Sequence, residues 1–323
     1  MSFCPICGAN HDPKMPCFDR AGEILRDLGI PKKKQTSRRH SKTTLRKSHF
    51  PDIIDASFIV LCVYLLKDFI ARIVFSNINP STPHKYLLGV IVTVLSSVII
   101  ISAIMVLNKS EYTQLFHFSH IPVPQLIKSI IIPLAVACLG LITLDSILGS
   151  VTRFLFPLSD HFKSFLSWID TPSILSIVYG VVLSPVLEEI LYRGIFLKSF
   201  IRQYKVSTAL VASSFLFAIL HGNIHQGVQA FLGGIFFGWL FIQAQSLWPT
   251  IIAHFILNSL SICGFGSVKI TKFFMINDDL NTIRMLIFGA AGVTLFVVGI
   301  MFLSKNLGKA NESLKPIKRA HGH

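Results

Sequence analysis

The stretch SPVLEEILYRG, residues 184–194, sets Glu188, Glu189 and Arg193 within six positions of one another in one of the least polar parts of the chain. A charge at membrane depth costs roughly 3 kcal/mol on insertion scales, so such groups face a protein interior or a wet cavity. On a helix Glu189 and Arg193 stand four positions apart and can pair, whereas Glu188 is turned away by about 100°. Glu189 is therefore expected to be structural and Glu188 to be available. Pro185 has no N–H for the carbonyl of Val181, which loosens the helix just ahead of the pair and could admit water. The plainer alternative is that all three charges are solvated at a headgroup boundary, where the nearby Lys198 would also belong.

Two later apolar runs carry the other polar groups. FAILH places Phe217 and His221 on one helix face, and HFILN does the same for His254 and Asn258. A lone histidine in such a run is usually a packed, hydrogen-bonded residue. Two imidazoles, an amide and a spare carboxylate from three runs make a less accidental set. Pooled in one cavity they would supply a base, a proton carrier and donors for a developing oxyanion. Counting about 1.5 Å per residue from the loops expected on the cytoplasmic side puts Glu188 about 15 Å along its helix, His254 about 9 Å and His221 about 22 Å. These depths do not coincide. Tilt, or a helix start later than Val206, is needed to bring His221 level.

The elements that must hold these residues follow from composition. The chain has 323 residues, 52% of them hydrophobic and 14% charged, too apolar for an ordinary soluble protein. Runs long enough to cross a bilayer recur at 56–77, 86–107, 129–150, 173–197, 206–222, 227–245, 248–266 and 284–303. Their continuous apolarity is that of helices and not the alternation of a barrel. The expected architecture is all-α: a polytopic membrane bundle of about eight transmembrane helices spanning 53–304, with a small N-terminal appendage (1–20), a basic linker (21–52) and a basic tail (305–323). The net charge of +14 is concentrated before the first run and after the last. This places both termini in the cytoplasm, as an even number of spans requires. The basic arm suits anionic lipid and lacks the interleaved aromatics of a nucleic-acid binder, so no nucleic-acid partner is expected.

Three motifs in order, EEILYR (188–193), FAILH (217–221) and HFILN (254–258), resemble those of the CAAX-protease and bacteriocin-processing (CPBP) intramembrane peptidases, which include the CAAX prenyl endopeptidases. The connecting SLWPTIIAH is also similar, and the resemblance covers about residues 172–262. It implies an eight-helix membrane peptidase whose site lies within the bilayer and opens toward the cytoplasm. By motif position, it implies Glu188 and His221 activating a water, His254 and Asn258 stabilising the oxyanion, and Glu189 and Arg193 organising the site. Metal-dependent and metal-independent glutamate mechanisms are both described for the family. One carboxylate and two histidines would suit zinc, but no His-Glu-x-x-His pairing is present, and the glutamate mechanism is preferred. The expected substrate is a membrane-associated peptide or protein, lipidated or not, and the expected location is a bacterial plasma membrane rather than the endoplasmic reticulum. The competing reading is a non-catalytic membrane scaffold or immunity-type protein that uses the same cluster to bind a peptide.

The appendage carries its own metal signal. Cys4 and Cys7 form a Cys-x-x-Cys turn, and His11 and Cys17 lie close enough to complete a tetrahedral structural zinc site. Only half of a zinc ribbon is present, so a partner-completed shell and a metal-free remnant stay open alternatives. Residues 21–30, AGEILRDLGI, read as a short amphipathic stretch. Cys62, Cys138 and Cys263 read as small buried hydrophobes, Gly234 and Gly238 as helix-packing positions, Asp145 as an interfacial carboxylate, and His117, His120 and His225 as solvated loop residues.

Overall fold

The computed structural model describes residues 2–3, 10–11, 50–76, 83–108, 113–119, 121–156, 158, 163, 173–265, 273–276 and 279–312. It divides into two units, Met1–His49 and Phe50–His323. In the first, β1 (Ser2–Phe3) pairs antiparallel with β2 (Asn10–His11), with Ser2 opposite His11. The two strands flank the Cys4-x-x-Cys7 segment in the sequence. Cys4, Cys7, Cys17 and the His11 side chain, like the 21–30 stretch, lie outside the described residues.

Among its described residues the second unit is helical, with a short strand pair at Met275–Ile276 and Asp279–Leu280. Its helices are α1 (Ile53–Ser76), α2 (Pro83–Asn108), the single turn α3 (Thr113–Phe116), α4 (Val123–Leu155), α5 (174–203), α6 (Val206–Ile219), α7 (Ile224–Ala244), α8 (Trp248–Leu260) and α9 (Thr282–Glu312). Apart from α3, these described helices fall on the eight apolar runs, with ends displaced by a few residues. By length and composition, Leu87–Leu107, Val123–Leu155, Ile224–Ala244 and Thr282–Gly308 can cross a membrane, and Ile53–Leu65, Val206–Ile219 and Trp248–Gly264 are shorter apolar segments. The outward faces are correspondingly apolar: Ile54, Phe58, Ile99, Val106, Ile132, Ile283 and Met301 are all well exposed. Such a surface suits hydrocarbon rather than water, and the chain is an integral membrane protein.

The core is built around α4, which packs along α9 and also meets α7 and α8. Backbones touch where side chains are absent. A Cβ on Gly140 of α4 would lie 2.3 Å from the Phe296 nitrogen of α9, and one on Gly299 would lie 2.5 Å from the Ala137 nitrogen. Small residues let membrane helices approach this closely. Between α6 and α7, the same service comes from Gly234 against Ser214 and Gly238 against Leu210, in keeping with the packing role read from GGIFFG.

α5 changes pitch twice. Its α segments Ile174–Ile177, Ser184–Glu189 and Lys198–Gln203 are joined by π segments Val178–Leu183 and Ile190–Leu197. The first π segment ends immediately before Ser184 and Pro185, where the N–H that Val181 would have received is missing; Ser184 N–H reaches instead to the Tyr179 carbonyl. Wider i→i+5 bonding is how a helix absorbs such an interruption without breaking.

Contacts at one end of the bundle tie together segments distant in sequence. Ser199 donates to the Pro51 carbonyl at 2.8 Å, next to the start of α1, and Lys198 sits 4.8 Å over the Phe118 ring. Phe118 N–H bonds the Gln245 carbonyl, Leu247 N–H bonds the Phe116 carbonyl, and Asn306 near the end of α9 donates to Ser129 near the start of α4. The start of α1 and the end of α9 therefore share one end of the bundle. The α7–α8 turn is covered there by residues 116–118: Ser246 and Leu247 are fully buried.

Candidate active site

α5, α6 and α8 carry the residues read as functional: Glu188, Glu189, Arg193 and His254 meet one another, His221 shares a cavity with Glu188, and Asn258 bonds Gly180 and is not among the residues lining that cavity. The α segment Ser184–Glu189 carries both glutamates, and its partner arginine follows one turn later in the second π segment. Arg193 Nη1 donates to Glu189 Oε1 at 2.8 Å, and Nη2 reaches the Gly234 carbonyl of α7 at 3.3 Å. The guanidinium lies 4.6 Å from the Phe217 ring centroid and 5.2 Å from that of Phe237. Two aromatic faces, a carboxylate and a carbonyl thus hold a fully buried cation. The two glutamates differ in exposure: the Glu189 side chain is 0% exposed and that of Glu188 31%.

His254 on α8 touches both carboxylates, which spacing alone did not reveal. Its Nδ1 lies 3.0 Å from Glu189 Oε1 and its Nε2 3.8 Å from Glu188 Oε2. The ring stacks on Phe237 at 4.8 Å and meets Phe217 edge-on at 5.8 Å. Since Arg193-paired Glu189 can only accept, Nδ1 of His254 carries the proton, and a neutral ring then presents a bare Nε2 toward Glu188. Arg193, Glu189 and His254 form a chain in which each member orients the next.

His221 sits two residues past the end of α6, in the turn that leads to α7. Its Nδ1 is 3.1 Å from the Phe217 carbonyl, so that nitrogen is the donor and Nε2 is left as an acceptor. Asn223 holds the turn by donating to the His221 carbonyl at 2.9 Å and capping α7 through Gln226 N–H. Asn258 donates to the Gly180 carbonyl at 2.7 Å, pinning α8 to the first π segment of α5. One of its two amide protons is used there and one is left over.

Glu188 and His221 line a common cavity of about 220 Å³. Tyr179, Ser184 and Tyr192 of α5 and Thr93 of α2 line it as well. Ser184 donates to Glu188 Oε1, and the buried Tyr192 hydroxyl has no hydrogen-bond partner among the described residues. Ser184, Tyr179 and Tyr192 were not singled out from the sequence, although Ser184 stands four positions before Glu188, the spacing of helical neighbours.

The depth mismatch resolves without moving the start of α6. α5 continues to Gln203, so Glu188 lies fifteen positions from the end of its helix and His221 fifteen positions beyond Val206, both about 22 Å along. The buried α7–α8 turn sets back the origin from which His254 is counted.

Several residues differ from expectation. His225 is buried on α7 rather than solvated, and His117 is half-buried with Nε2 2.8 Å from the Ile121 carbonyl. His120 lies outside the described residues. Asp145 lies within α4, not near its end, with Oδ1 buried and without a hydrogen-bond partner among the described residues; its own backbone carbonyl takes Gln229 Nε2 at 2.7 Å. Cys138 is buried, whereas Cys62 and Cys263 are exposed on the apolar outer surface. Among the described residues no three His, Cys, Asp or Glu side chains converge as a metal shell does. Both His254 nitrogens face carboxylates, and one His221 nitrogen is taken by a backbone carbonyl.

Comparison with known proteins meets the same segment. Residues 170–260 match the model of the Rce1-like family, described as type II CAAX prenyl endopeptidase Rce1-like. A 118-residue stretch, 36% of this chain, is 26% identical to the Bacillus subtilis (strain 168) protein named "Putative membrane peptidase YdiL". The chain spans 48% of that relative's length. No solved structure matches the chain. Over its motif core the chain is similar to the CPBP peptidases, as the three ordered motifs imply.

Proposed function

We propose that this protein is an intramembrane endopeptidase that hydrolyses a peptide bond in a membrane-associated peptide or protein, with a water activated by Glu188. The observation that carries this reading is the pairing of a half-exposed Glu188 with His221 on one cavity, while a fully buried Glu189 is occupied by Arg193 and His254. Two adjacent carboxylates in different environments are how one fold separates a structural charge from a reactive one.

The steps follow from the donors and acceptors. A water in the cavity directs one proton at Glu188 Oε2 and the other at the bare Nε2 of His221. Glu188 takes its proton as the water oxygen bonds to the scissile carbonyl carbon, and the carbonyl electron pair moves onto its oxygen. The spare N–H of Asn258 and the hydroxyl of Tyr192 are donors available for that oxyanion. Collapse breaks the carbon–nitrogen bond, the Glu188 proton goes to the departing amine, and the carboxylate is restored. His254, 3.8 Å from Glu188 Oε2 and held by Glu189 through Nδ1, is near enough to share the proton meanwhile. No step is routed through a metal.

The test is cleavage by the purified protein in lipid. Glu188→Gln keeps shape and polarity but removes the base, so turnover should fall by roughly 10³-fold while the melting temperature holds. Comparing membrane peptides from cells carrying wild type and Glu188→Gln should show substrates that accumulate only with the variant. Full cleavage by a folded Glu188→Gln protein would remove the assignment, and an intact cellular role without cleavage would favour the scaffold reading.

A further inference from the structure

His221 stands just past the end of a helix rather than on one. Its N–H reaches back to the Ala218 carbonyl of α6 and that of Gly222 to Ile219, after which Gly222 turns the chain with a φ of 65°. A left-handed residue at this place lets the last carbonyls be satisfied, and glycine adopts it without a Cβ penalty. Helix ends fray, however, so a proton acceptor placed there needs a second support.

Asn223 supplies that support with both polar atoms of its side chain. Oδ1 accepts Gln226 N–H at 2.9 Å, capping α7, while Nδ2 donates to the His221 carbonyl at 2.9 Å and to Gln226 Oε1 at 2.6 Å. The orientation of the amide is thereby fixed, since a flip would set its oxygen against two carbonyl oxygens. In an ordinary capping box the glutamine three positions on reaches back to the backbone N–H of the cap. Here Gln226 holds the side chain of the cap instead and aims Nδ2 at His221. Serine, threonine or aspartate would cap α7 too, but none carries an amide with two protons to give. Capping alone does not account for the asparagine.

The same helix also holds the other half of the site. The Gly234 carbonyl of α7 takes Arg193 Nη2 at 3.3 Å, and the Phe237 ring stacks on His254 at 4.8 Å. Gly234 lies about three turns, roughly 16 Å, beyond Asn223. α7 therefore sets His221 at its start and the Arg193–Glu189–His254 chain in its middle.

We infer that Asn223, locked by Gln226, is a positioning residue that fixes His221 on the cavity it shares with Glu188 and ties it through α7 to the chain holding His254 beside that glutamate. A loose imidazole would meet the water in the right geometry only part of the time, and small misplacements near reacting atoms cost up to about 100-fold. This inference rests on the role proposed for His221 in the hydrolysis.

Asn223→Asp separates the clamp from the cap. Aspartate keeps an oxygen for Gln226 N–H and caps as well as asparagine, but has no proton for the His221 carbonyl. Gln226→Met removes the lock without adding a charge. In full-length protein in liposomes, with histidine carrying the heavy nitrogen isotope and at alkaline pH where the imidazole is neutral, the ring nitrogen resonances of His221 report its tautomer; their loss in His221→Gln identifies them. Wild type should show one tautomer, with the proton on Nδ1. Asn223→Asp should broaden the lines and draw them toward the exchange average, and Gln226→Met should do so less, with melting temperatures held in both. On a membrane peptide that wild type cleaves and Glu188→Gln does not, Asn223→Asp should lower kcat about 10-fold or more with KM unchanged. A residue that only caps α7 would move neither reading. Unmoved His221 lines, or an unchanged kcat, in folded Asn223→Asp protein overturn the proposal. Should that variant not fold, Gln226→Met decides by the same two readings. Cleavage that persists in folded Glu188→Gln removes the hydrolysis and this role with it, whereas cleavage lost in Glu188→Gln beside unmoved His221 lines in Asn223→Asp removes the clamp alone.

Discussion

A buried cation is only as stable as the groups that surround it, and Arg193 has four. Removing it by Arg193→Met leaves Glu189 ionised in a dry site and should cost about 3–5 kcal/mol, read as a large fall in melting temperature. Arg193→Lys should not rescue. An ammonium cannot span the Glu189 carboxylate and the Gly234 carbonyl or lie flat between Phe217 and Phe237. Tyr192 offers the opposite case. Its hydroxyl is buried beside the cavity with no partner among the described residues, so Tyr192→Phe should leave stability equal or higher by about 1 kcal/mol. Its kcat should nonetheless fall about 10-fold or more if the hydroxyl meets the oxyanion. At this scale the sequence was informative where partners share a helix: the Glu189–Arg193 pair is a spacing of four. It was silent on His254 bridging both glutamates and on Arg193 reaching Gly234, because those contacts join α5 to α8 and α7 and depend on how the helices pack.

The helices show where periodicity stops being enough. The eight apolar runs were legible because a membrane span must be long and continuously apolar, and each run holds a described helix of the second unit. Changes of pitch leave a weaker trace. Pro185 marks the end of the first π segment of α5, but Ile190–Leu197 contains no proline, and the continuation of the helix to Gln203 lies under the polar residues Lys198, Arg202 and Gln203 that ordinarily end a span. That continuation is what brings Glu188 level with His221. Packing between helices is testable through glycine. Gly140→Val would push a side chain into the α9 backbone, since even a Cβ would lie 2.3 Å from the Phe296 nitrogen, and should cost about 3 kcal/mol or fail to assemble. Gly308→Ala on the same α9 meets nothing within 4 Å and should instead gain about 0.5–1 kcal/mol from helix propensity. Thermal melts of the two proteins in one detergent separate packing from propensity.

For the molecule as a whole, the distribution of charge bears on both termini. In the first unit, the paired strands Ser2–Phe3 and Asn10–His11 flank the Cys4-x-x-Cys7 segment in the sequence. We propose that Cys4, Cys7, His11 and Cys17 hold a structural zinc. Elemental analysis should find about one zinc per chain, lost in Cys4→Ser; zinc-free, fully folded protein would dismiss it. In the second unit, Pro51 beside the start of α1 bonds Ser199 near the end of α5, while Asn306 near the end of α9 bonds Ser129 near the start of α4. Lys198, Arg202 and Lys205 in the α5–α6 connection and Lys305 near the end of α9 lie toward that end of the second unit, and the sequence before α1 is also rich in Lys and Arg. Basic segments are retained in the cytoplasm during insertion. We therefore propose that both termini are cytoplasmic. A green fluorescent protein fused after His323 should fluoresce and an alkaline phosphatase fused there should be silent, whereas the phosphatase inserted in the α6–α7 turn near Asn223 should be active. Three helices, α7, α8 and α9, separate the two positions, so their signals should be opposite; matching signals would require an even number of crossings between them and would overturn this placement.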